Sequence, residues 1–198
     1  LLISALVVVY KRRFWFYVKY DLHPFDRDEC TNEDKRFDIF LSYSSDDEEH
    51  VKDLQNYLKL RGYRICDHLK DFMIGENIFD NMGNAIISSK RTVCFITKNF
   101  IQSKFCMFEF GMAVNVDMLA NRKRLIVIMQ EDIEKDDLPE NMTNYVNSFT
   151  YLTRDCPLFM KRLTYRLAQN KLGEADDVNV PLLAGNDHQN YGAAILDQ

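Results

Sequence analysis

The side chains that could do chemistry lie far apart in the sequence, without the spacing of a metal site or a catalytic relay. The five cysteines form no Cys-x-x-Cys pair, and the four histidines are scattered among segments of different character. Neither zinc-ligand spacing nor a Ser-His-Asp or Cys-His relay can be traced among them. We therefore predict no metal site and interpret the cysteines as reduced thiols of a cytosolic compartment: Cys30, Cys66, Cys94, Cys106 and Cys156.

Cys106 leaves two interpretations open. It is predicted near the first turn of a helix that Ser103 caps, and a helix dipole favours the thiolate at that position. A reactive thiol would follow from that placement. Plain packing in the core is the alternative.

The overall composition also limits the function. The chain has a net charge of −5 and a pI near 5.4, whereas a nucleic-acid binder needs a basic face that neutralises phosphates. It has seven glycines among 198 residues and no Gly-x-Gly-x-x-Gly loop of the kind that holds a nucleotide. These features argue against nucleic acid and favour protein partners.

The segment 67–77 has an unusual mixture of side chains. It combines the charged pair Lys70-Asp71 with three consecutive large apolar residues, Phe72, Met73 and Ile74, followed by Gly75. Large apolar side chains in an exposed loop mark a protein contact more often than a catalytic centre. We predict that Lys70, Asp71, Phe72, Met73, Ile74 and Gly75 form a partner-binding loop. A surface loop with no contact role is the alternative.

The elements that position this loop begin with the run from Phe37 to Tyr43. Its uninterrupted apolar core predicts a strand buried on both faces, as in a parallel sheet, and Ser45 with Glu48 predicts a capping box that starts a helix. Four more strands are predicted at 63–66, 91–97, 125–129 and 148–152, each followed by a helical segment. This alternation predicts an α/β fold, a five-stranded parallel sheet with helices on both faces. Its functional loops should follow the carboxyl ends of the strands, as the segment 67–77 does.

Apolar residues at helical spacing predict which helix faces are buried. Gly62 should close the first helix, Pro139 should open a later one, and Pro157 should lie in the first turn of the last. Strand 125–129 is the most apolar and should lie at or near the sheet centre, whereas 148–152 is more polar and should lie at an edge. The predicted buried stripes are Val51, Leu54 and Leu58; Ile78, Met82 and Ile86; Phe105, Phe108 and Met112; and Phe159, Leu163 and Leu167.

The chain opens on ten mostly apolar residues, Leu1 to Tyr10, followed by a basic and aromatic stretch from Lys11 to Lys19. Ten helical residues cover about 15 Å, whereas a bilayer span needs about 20 residues. Because the cations follow the apolar run, we predict that residues 1–10 are the cytoplasmic end of a transmembrane helix in a fragment of a longer protein. Trp15, Phe16 and Tyr17 would then lie at the membrane interface. A buried strand or helix of the globular domain is the alternative.

Four segments follow from these patterns. Residues 1–10 form the end of the transmembrane helix, and residues 11–35 form a basic juxtamembrane segment and linker that contains Pro24. The α/β domain occupies residues 36–172. Residues 173–198 lose periodicity and turn to Gly, Asp, Asn and Ala, so we predict a disordered tail.

Three motifs resemble those of TIR domains, the cytoplasmic signalling modules of Toll-like and interleukin-1 receptors. Phe37 to Tyr43 resembles the first signature motif of that family. Lys70 to Gly75 resembles the second, a loop through which these domains contact one another, with Lys70 in place of the usual Arg. Ile74 stands where the Toll-like receptors that recruit the myeloid differentiation adaptor generally carry Pro, so the choice of adaptor is left open.

The third motif is the stretch from Asn99 to Glu109, which is similar to the entry into the third TIR helix, with Phe105 at the position of the usual Trp and Cys106 after it. The last family motif, a Phe-Trp pair, is half present as Phe159-Met160. The resemblance covers about residues 35–172. Its signature residues here are Phe37, Asp38, Ser42, Tyr43, Phe105, Cys106 and Phe159.

The resemblance implies a flavodoxin-like TIR domain on the cytoplasmic side of a single-pass innate immune receptor, in the plasma membrane or in an endosome. Receptor dimerisation would bring two TIR domains together, and the paired domains would recruit TIR-containing adaptors without any cofactor. Two weak faces held on one membrane bind as a divalent platform. Asp38, Ser42 and Tyr43 would shape the sheet edge beneath the contact loop.

Two further hypotheses remain open. Some TIR domains hydrolyse NAD with a glutamate at the position that matches Glu109, where a carboxylate would stabilise the positive charge that develops on the ribose. Glu109 lies one turn from Phe105, so the carboxylate would have an aromatic neighbour. A cytosolic adaptor without a membrane span is the third hypothesis, which the pattern of residues 1–19 disfavours.

Overall fold

The computed structural model describes residues 2–20, 35–67, 75, 77–120, 124–130 and 133–167. The chain divides into two compact units. One contains Leu1–Asp26 with Lys171–Gln198, and the other contains Arg27–Asn170. The predicted linker before residue 35 and the predicted tail from residue 173 lie outside the described residues.

The first unit contains two consecutive helices, α1 (Leu2–Lys11) and α2 (Arg13–Tyr20). They are separated at Arg12, whose backbone N–H donates to the carbonyl oxygen of Val8 at 2.9 Å. The helical form expected for residues 1–10 is thus present over Leu2 to Tyr10, and their membrane role stays a prediction. Within the described ranges, no helix combines the length and apolar character that crossing a bilayer requires.

The second unit is built on a five-stranded sheet in which every neighbouring pair of strands is parallel. The predicted α/β fold is confirmed, and the strand order β2-β1-β3-β4-β5 is that of flavodoxin-like proteins. β4 lies beside the central strand and β5 lies at an edge, both as predicted. The strands are β1 (Phe37–Ser42), β2 (Ile65–Asp67), β3 (Ser89–Ile96), β4 (Leu125–Met129) and β5 (Leu152–Thr153).

Helices cover both faces of this sheet. On one face Ile39 and Leu41 pack against α3 and α8, whereas Phe40 points to the opposite core under α4, α6 and α7. Successive residues of a strand face opposite sides, so β1 needs apolar residues without a break. The helices of this unit are α3 (Glu48–Leu60), α4 (Ile78–Ile87), α5 (Lys98–Gln102), α6 (Lys104–Ala120), α7 (Glu140–Ser148) and α8 (Phe159–Arg166).

Several local predictions are confirmed. In the first and last helices of this unit, the apolar residues that were predicted to be buried are buried. Gly62 ends the first of them with a φ of 79°, a left-handed conformation that glycine adopts without a Cβ clash. Pro139 directly precedes α7, and the hydroxyl of Ser103 accepts the N–H of Cys106 at 3.3 Å. The confirmed stripes are Val51, Leu54 and Leu58, and Phe159, Leu163 and Leu167.

The predicted ends of three elements are wrong. Ser45 lies inside a 3-10 turn, Ser45–Asp47, and makes no capping box because α3 begins only at Glu48. Pro157 lies outside α8, which begins at Phe159. The last strand is only Leu152–Thr153; Ser148 is the last residue of α7, and Phe149, Thr150 and Tyr151 connect that helix to the strand.

The predicted buried faces of α4 and α6 are wrong in part. Ile78 and Phe108 are exposed, while Met82 and Ile86 are buried as expected. α6 turns Phe110 and its neighbours toward the sheet instead of Phe108. Because α6 carries apolar residues all round, periodicity alone does not identify its buried side.

Candidate interaction site at the carboxyl edge of the sheet

The predicted contact loop lies mostly outside the described residues. Lys70, Asp71, Phe72, Met73 and Ile74 fall in the part that the structure does not describe, and Gly75 is exposed with a φ of 91°. That φ lies in the left-handed region, where a residue with a side chain is strained. The role of the loop stays a prediction.

The residue that precedes this segment is fixed by a buried polar cluster. Asp67 ends β2, and the hydroxyl of Tyr43 donates to its two carboxylate oxygens at 3.2 and 3.3 Å. The side-chain amide of Gln55 donates to the Tyr43 oxygen at 3.2 Å and to Asp67 Oδ2 at 3.4 Å. Burial and the nearby Asp67 charge raise the pKa of Tyr43 to about 12, so the phenol keeps its proton and remains a donor.

The residue that follows the segment is fixed as well. Asn77 is the N-cap of α4, and its side-chain oxygen accepts the N–H of Phe79 at 2.9 Å. This bond satisfies one of the N–H groups that the first turn of a helix leaves without a partner. Both flanks of the predicted loop are therefore anchored, by Asp67 on one side and by Asn77 on the other.

Ser42 and Glu109 meet in the core beside this edge. The Ser42 hydroxyl donates to Oε2 of Glu109, whose side chain is completely buried. Oε1 of Glu109 has no hydrogen-bond partner in the described part of the chain. Burial raises the pKa of Glu109 to about 7, against the opposing effect of the Ser42 hydrogen bond. An enclosed carboxyl of this kind offers no surface to a dissolved substrate in this conformation.

Of the two interpretations of Cys106, the structure supports packing in the core. The thiol is buried in the first turn of α6, and its Sγ donates to the carbonyl oxygen of Tyr43 at 3.6 Å. Burial, with a smaller effect of the Glu109 charge, raises the pKa of Cys106 to about 11. The helix dipole is thus outweighed by desolvation. Cys106 and the other described cysteines, Cys66, Cys94 and Cys156, form no disulfide bonds.

Asp38 lies at the other end of β1, so its expected place beneath the loop is wrong. Its buried carboxylate accepts the backbone N–H of Arg64 at 2.9 Å and pairs with Lys90 Nζ at 2.9 Å. Burial alone would raise its pKa, but hydrogen bonds from Arg64 and Lys90 bring the pKa below the usual value. The loops of a parallel sheet that follow the strands gather at the carboxyl edge, and Asp38 is at the amino edge. Its contacts anchor the start of β1 to the chain before β2 and to β3.

Asp47 makes a connection that the sequence did not reveal. Its carboxylate accepts hydrogen bonds from the hydroxyl of Thr97 and, at 2.8 Å, from the side-chain amide of Asn99. Thr97 also caps α5 by accepting the N–H of Phe100 at 3.0 Å. The loops after β1 and β3 are thereby joined at the carboxyl edge. No sequence pattern signals a contact between residues 50 positions apart.

A groove lies between α4 and α6, next to the end of the predicted loop. The rings of Phe79 and Phe108 meet edge to face with their centroids 4.5 Å apart, and they are 49% and 42% exposed. The groove has a volume of about 620 Å³ and lies beside this pair of rings; Phe79, Ile87 and Met112 line it together with the polar residues Asn77, Asp80 and Asn84. Gly83 lets α6 come close, because a Cβ at that position would lie 3.2 Å from Cε of Met112. Phe79 and Phe108 thus form an exposed aromatic pair, and aromatic side chains are typical anchors of protein interfaces.

The other signature residues lie at the ends of strand β1 and at the starts of helices α6 and α8. Phe37 begins β1, Ser42 ends it and Tyr43 follows directly. Phe105 and Cys106 lie in the first turn of α6, and Phe159 begins α8. Among the described residues, no three acidic, cysteine or histidine side chains are placed to hold a metal ion.

The family model for the TIR domain matches residues 39–156 of this chain. The chain belongs to the TIR domain family. The match begins inside β1 and extends past β5, so it includes all of the sheet except Phe37 and Asp38, and it includes the polar clusters at the carboxyl edge.

Curated relatives place this TIR domain with those of Toll and the Toll-like receptors. It is 30% identical over 163 residues to Protein toll of Drosophila melanogaster, and 28% identical over 178 residues to Toll-like receptor 4 of Felis catus. The two alignments cover 80% and 87% of this chain, but only 15% and 21% of those proteins. The domain is therefore homologous to Toll-type signalling domains, and the chain spans about a fifth or less of these relatives.

Solved structures confirm the fold. The TIR domain of the Toll-related receptor TRR-2 from Hydra magnipapillata superposes with a TM-score of 0.54 at 22% identity, covering 65% of this chain and 95% of that one. A metazoan TIR-STING receptor from C. gigas, solved in complex with 2′,3′-cGAMP, gives a TM-score of 0.52 at 27% identity. That match covers 62% of this chain and 36% of the receptor.

Proposed function

We propose that this chain is the signalling part of a single-pass innate immune receptor and that it acts by TIR–TIR association. Receptor dimerisation brings two TIR domains together, and the pair recruits adaptors that carry TIR domains of their own. The observation that carries this proposal is the similarity to Toll-type receptors, which extends over 80% to 87% of the chain, beyond the 39–156 match to the family. The mechanism requires no cofactor.

The proposed topology is a membrane anchor at residues 1–19 with the TIR domain on the cytoplasmic side, at the plasma membrane or an endosome. The support is the order of the segments, since the cations Lys11, Arg12 and Arg13 follow the apolar residues of α1. Positive residues stay preferentially on the cytoplasmic side of a span.

The proposed contact surface combines the loop Lys70–Gly75 with the adjoining groove between α4 and α6. Both flanks of the loop are fixed, by the Tyr43–Asp67 bonds and by the Asn77 cap, which lowers the ordering cost of binding. The Phe79–Phe108 pair beside the groove supplies half-exposed aromatic rings, and aromatic side chains dominate the energy of protein interfaces. Each contact alone is weak, and two contacts on one membrane reinforce each other.

The test compares two double variants of the same chemical kind. Phe72→Ser/Met73→Ser removes the apolar part of the loop, and Met118→Ser/Leu119→Ser removes two exposed apolar residues near the end of α6. Self-association is measured by sedimentation over a concentration series, and adaptor capture is measured by pull-down. The loop variant should lose both while the α6 variant keeps both. Equal behaviour of the two variants would remove the loop from the proposed surface.

NAD hydrolysis at Glu109 is a second candidate function. Its support is chemical, because a carboxyl with a pKa of about 7 and an unpartnered Oε1 has the proton affinity of a general acid or base. Because the Glu109 side chain is completely buried, NAD hydrolysis has less support than the contact proposal. The deciding measurement is nicotinamide release by the purified chain over a concentration series, beside Glu109→Ala. Release that rises with concentration and is absent from the variant would establish an enzyme, and silence throughout leaves the association mechanism.

A further inference from the structure

The amino-terminal helices carry positive charge only. Residues 1–20 contain the four cations Lys11, Arg12, Arg13 and Lys19 and no acidic residue. Since the whole chain has a net charge of −5, the remaining residues carry a net charge of −9. Lys11, Arg12 and Lys19 are exposed, and Arg13 is half-buried. Residues 1–20 thus carry a net charge of +4, and the acidic excess of the chain lies in residues 21–35 and 173–198.

Aromatic rings accompany these cations. Cζ of Arg13 lies 4.7 Å from the centroid of the Tyr10 ring, and Nζ of Lys19 lies 4.8 Å from that of Trp15. A cation over a ring keeps its full charge, and its side chain is ordered by the ring beneath it. Tryptophan and tyrosine are also the side chains that prefer the headgroup level of a bilayer. The segment therefore combines ordered positive charge with interfacial aromatic rings.

We propose that residues 10–19 bind the anionic phospholipid headgroups of a membrane leaflet. The apolar residues of α1 directly precede the cations, which places the positive charge where an apolar surface and a polar one meet. Juxtamembrane clusters of about four to eight Lys and Arg are attracted to anionic leaflets. The site thus holds residues 10–19 at the surface of the leaflet.

This proposal goes beyond TIR–TIR association, and it holds whether α1 spans the bilayer or lies at its surface. Each cation near an anionic leaflet contributes about a fivefold gain in affinity. The attraction decays over a Debye length, about 10 Å at 0.1 M salt and about 3 Å at 1 M. Strong salt dependence is therefore a required property of the site.

The experiment uses Trp15, the only tryptophan in the chain, as a probe within the proposed site. The full chain is reconstituted in phosphatidylcholine vesicles that contain a small fraction of dansyl-phosphatidylserine or, in parallel, dansyl-phosphatidylcholine. Energy transfer from Trp15 reports which lipid gathers around it. We expect severalfold more transfer to the phosphatidylserine probe at low salt, and equal transfer to the two probes at 1 M salt.

Two triple variants complete the test. Lys11→Gln/Arg12→Gln/Arg13→Gln should abolish the preference, whereas Lys52→Gln/Lys59→Gln/Arg61→Gln on α3 should retain it. The α3 set is matched because Arg61, the residue that directly follows α3, also lies over an aromatic ring, 5.0 Å from the centroid of Tyr57, but belongs to the TIR domain. Equal transfer to both probes in the unchanged chain at low salt overturns the proposal, as does a preference that survives in the first variant.

The salt series needs no substitution, so misfolding of a variant cannot imitate success. Phe72→Ser/Met73→Ser should leave lipid preference intact, which separates this outcome from the contact proposal.

Discussion

The hydroxyl of Ser42, the last residue of β1, donates a hydrogen bond to the carboxyl group of Glu109, which lies 67 positions later in α6. The bond joins the carboxyl edge of the sheet to the long helix that borders the groove. Cys106, one turn earlier in α6, adds a second link through its bond to the Tyr43 carbonyl oxygen. α6 is therefore tied to the end of β1 by polar contacts inside an otherwise apolar core.

Glu109 makes the stability of the TIR domain depend on pH. Its folded-state pKa of about 7 lies above the ordinary value of 4.5, so the folded state binds the proton more tightly than the unfolded state. The resulting stabilisation is fully present below pH 4.5 and is lost as the pH rises through 7. The shift corresponds to roughly 3 kcal/mol, of which most should be lost by pH 8. Urea unfolding at pH 5, 6, 7 and 8 measures this loss.

Glu109→Gln is the control for that prediction. The amide cannot ionise and keeps an oxygen that accepts from Ser42, so the loss of stability between pH 5 and pH 8 should be smaller by about 2–3 kcal/mol. Groups elsewhere in the chain titrate alike in both proteins and cancel in the comparison. A variant as pH-dependent as the parent would show that Glu109 ionises freely in the folded domain.

Tyr43→Phe should destabilise the domain more than Tyr145→Phe does. Tyr43 donates to the Asp67 carboxylate, whereas Tyr145 donates to the neutral carbonyl oxygen of Leu125 at 3.2 Å. Losing a donor to a buried charged acceptor costs about 2–3 kcal/mol, and losing a neutral hydrogen bond costs about 1 kcal/mol. Chemical denaturation of the two single variants gives both values. A cycle that adds Asp67→Asn should show coupling of more than 0.5 kcal/mol with Tyr43→Phe and no coupling with Tyr145→Phe.

The sheet could be predicted because strands buried on both faces leave continuous apolar runs. β1 and β4 are such runs, and their positions follow directly from the sequence. The two-residue edge strand at Leu152 is too short to give a pattern, and the helix before it extends further than its polar residues suggested. Element order also predicted that the segment 67–77 follows the carboxyl end of a strand, and Asp67, its first residue, ends β2.

The contacts at the site could not be predicted in the same way. The sequence identified Ser42 and Glu109 separately as candidate residues. Whether their side chains form a hydrogen bond depends on how α6 crosses the sheet. The rotation of α6 about its axis decided the exposure of Phe108, and a helix that is apolar all round gives no signal of that rotation. Long-range pairing and helix rotation are properties of packing, so only the folded structure supplies them.

Phe108→Ser should weaken self-association of the TIR domain about tenfold. It removes one ring of the exposed Phe79–Phe108 pair beside the groove, and the loss of an interface aromatic typically costs about 1.5 kcal/mol. Leu119→Ser, at the far end of the same helix and 88% exposed, should change association little. Sedimentation velocity over a concentration series measures both. Equal weakening by the two variants would assign the effect to general apolar surface instead of the groove.

Two glycines near the site should respond to alanine in opposite directions. Gly83 lies inside α4, where alanine has a higher helix propensity by about 1 kcal/mol, and the end of the flexible Met112 side chain can move from the 3.2 Å contact with a new Cβ. Gly83→Ala should therefore stabilise the domain by about 0.5 kcal/mol. Gly75 has open space around it but a φ of 91°, so Gly75→Ala should cost about 1 kcal/mol through backbone strain. Thermal unfolding ranks the two variants against the parent, and a stabilising Gly75→Ala would mean that this residue does not hold a left-handed conformation in solution.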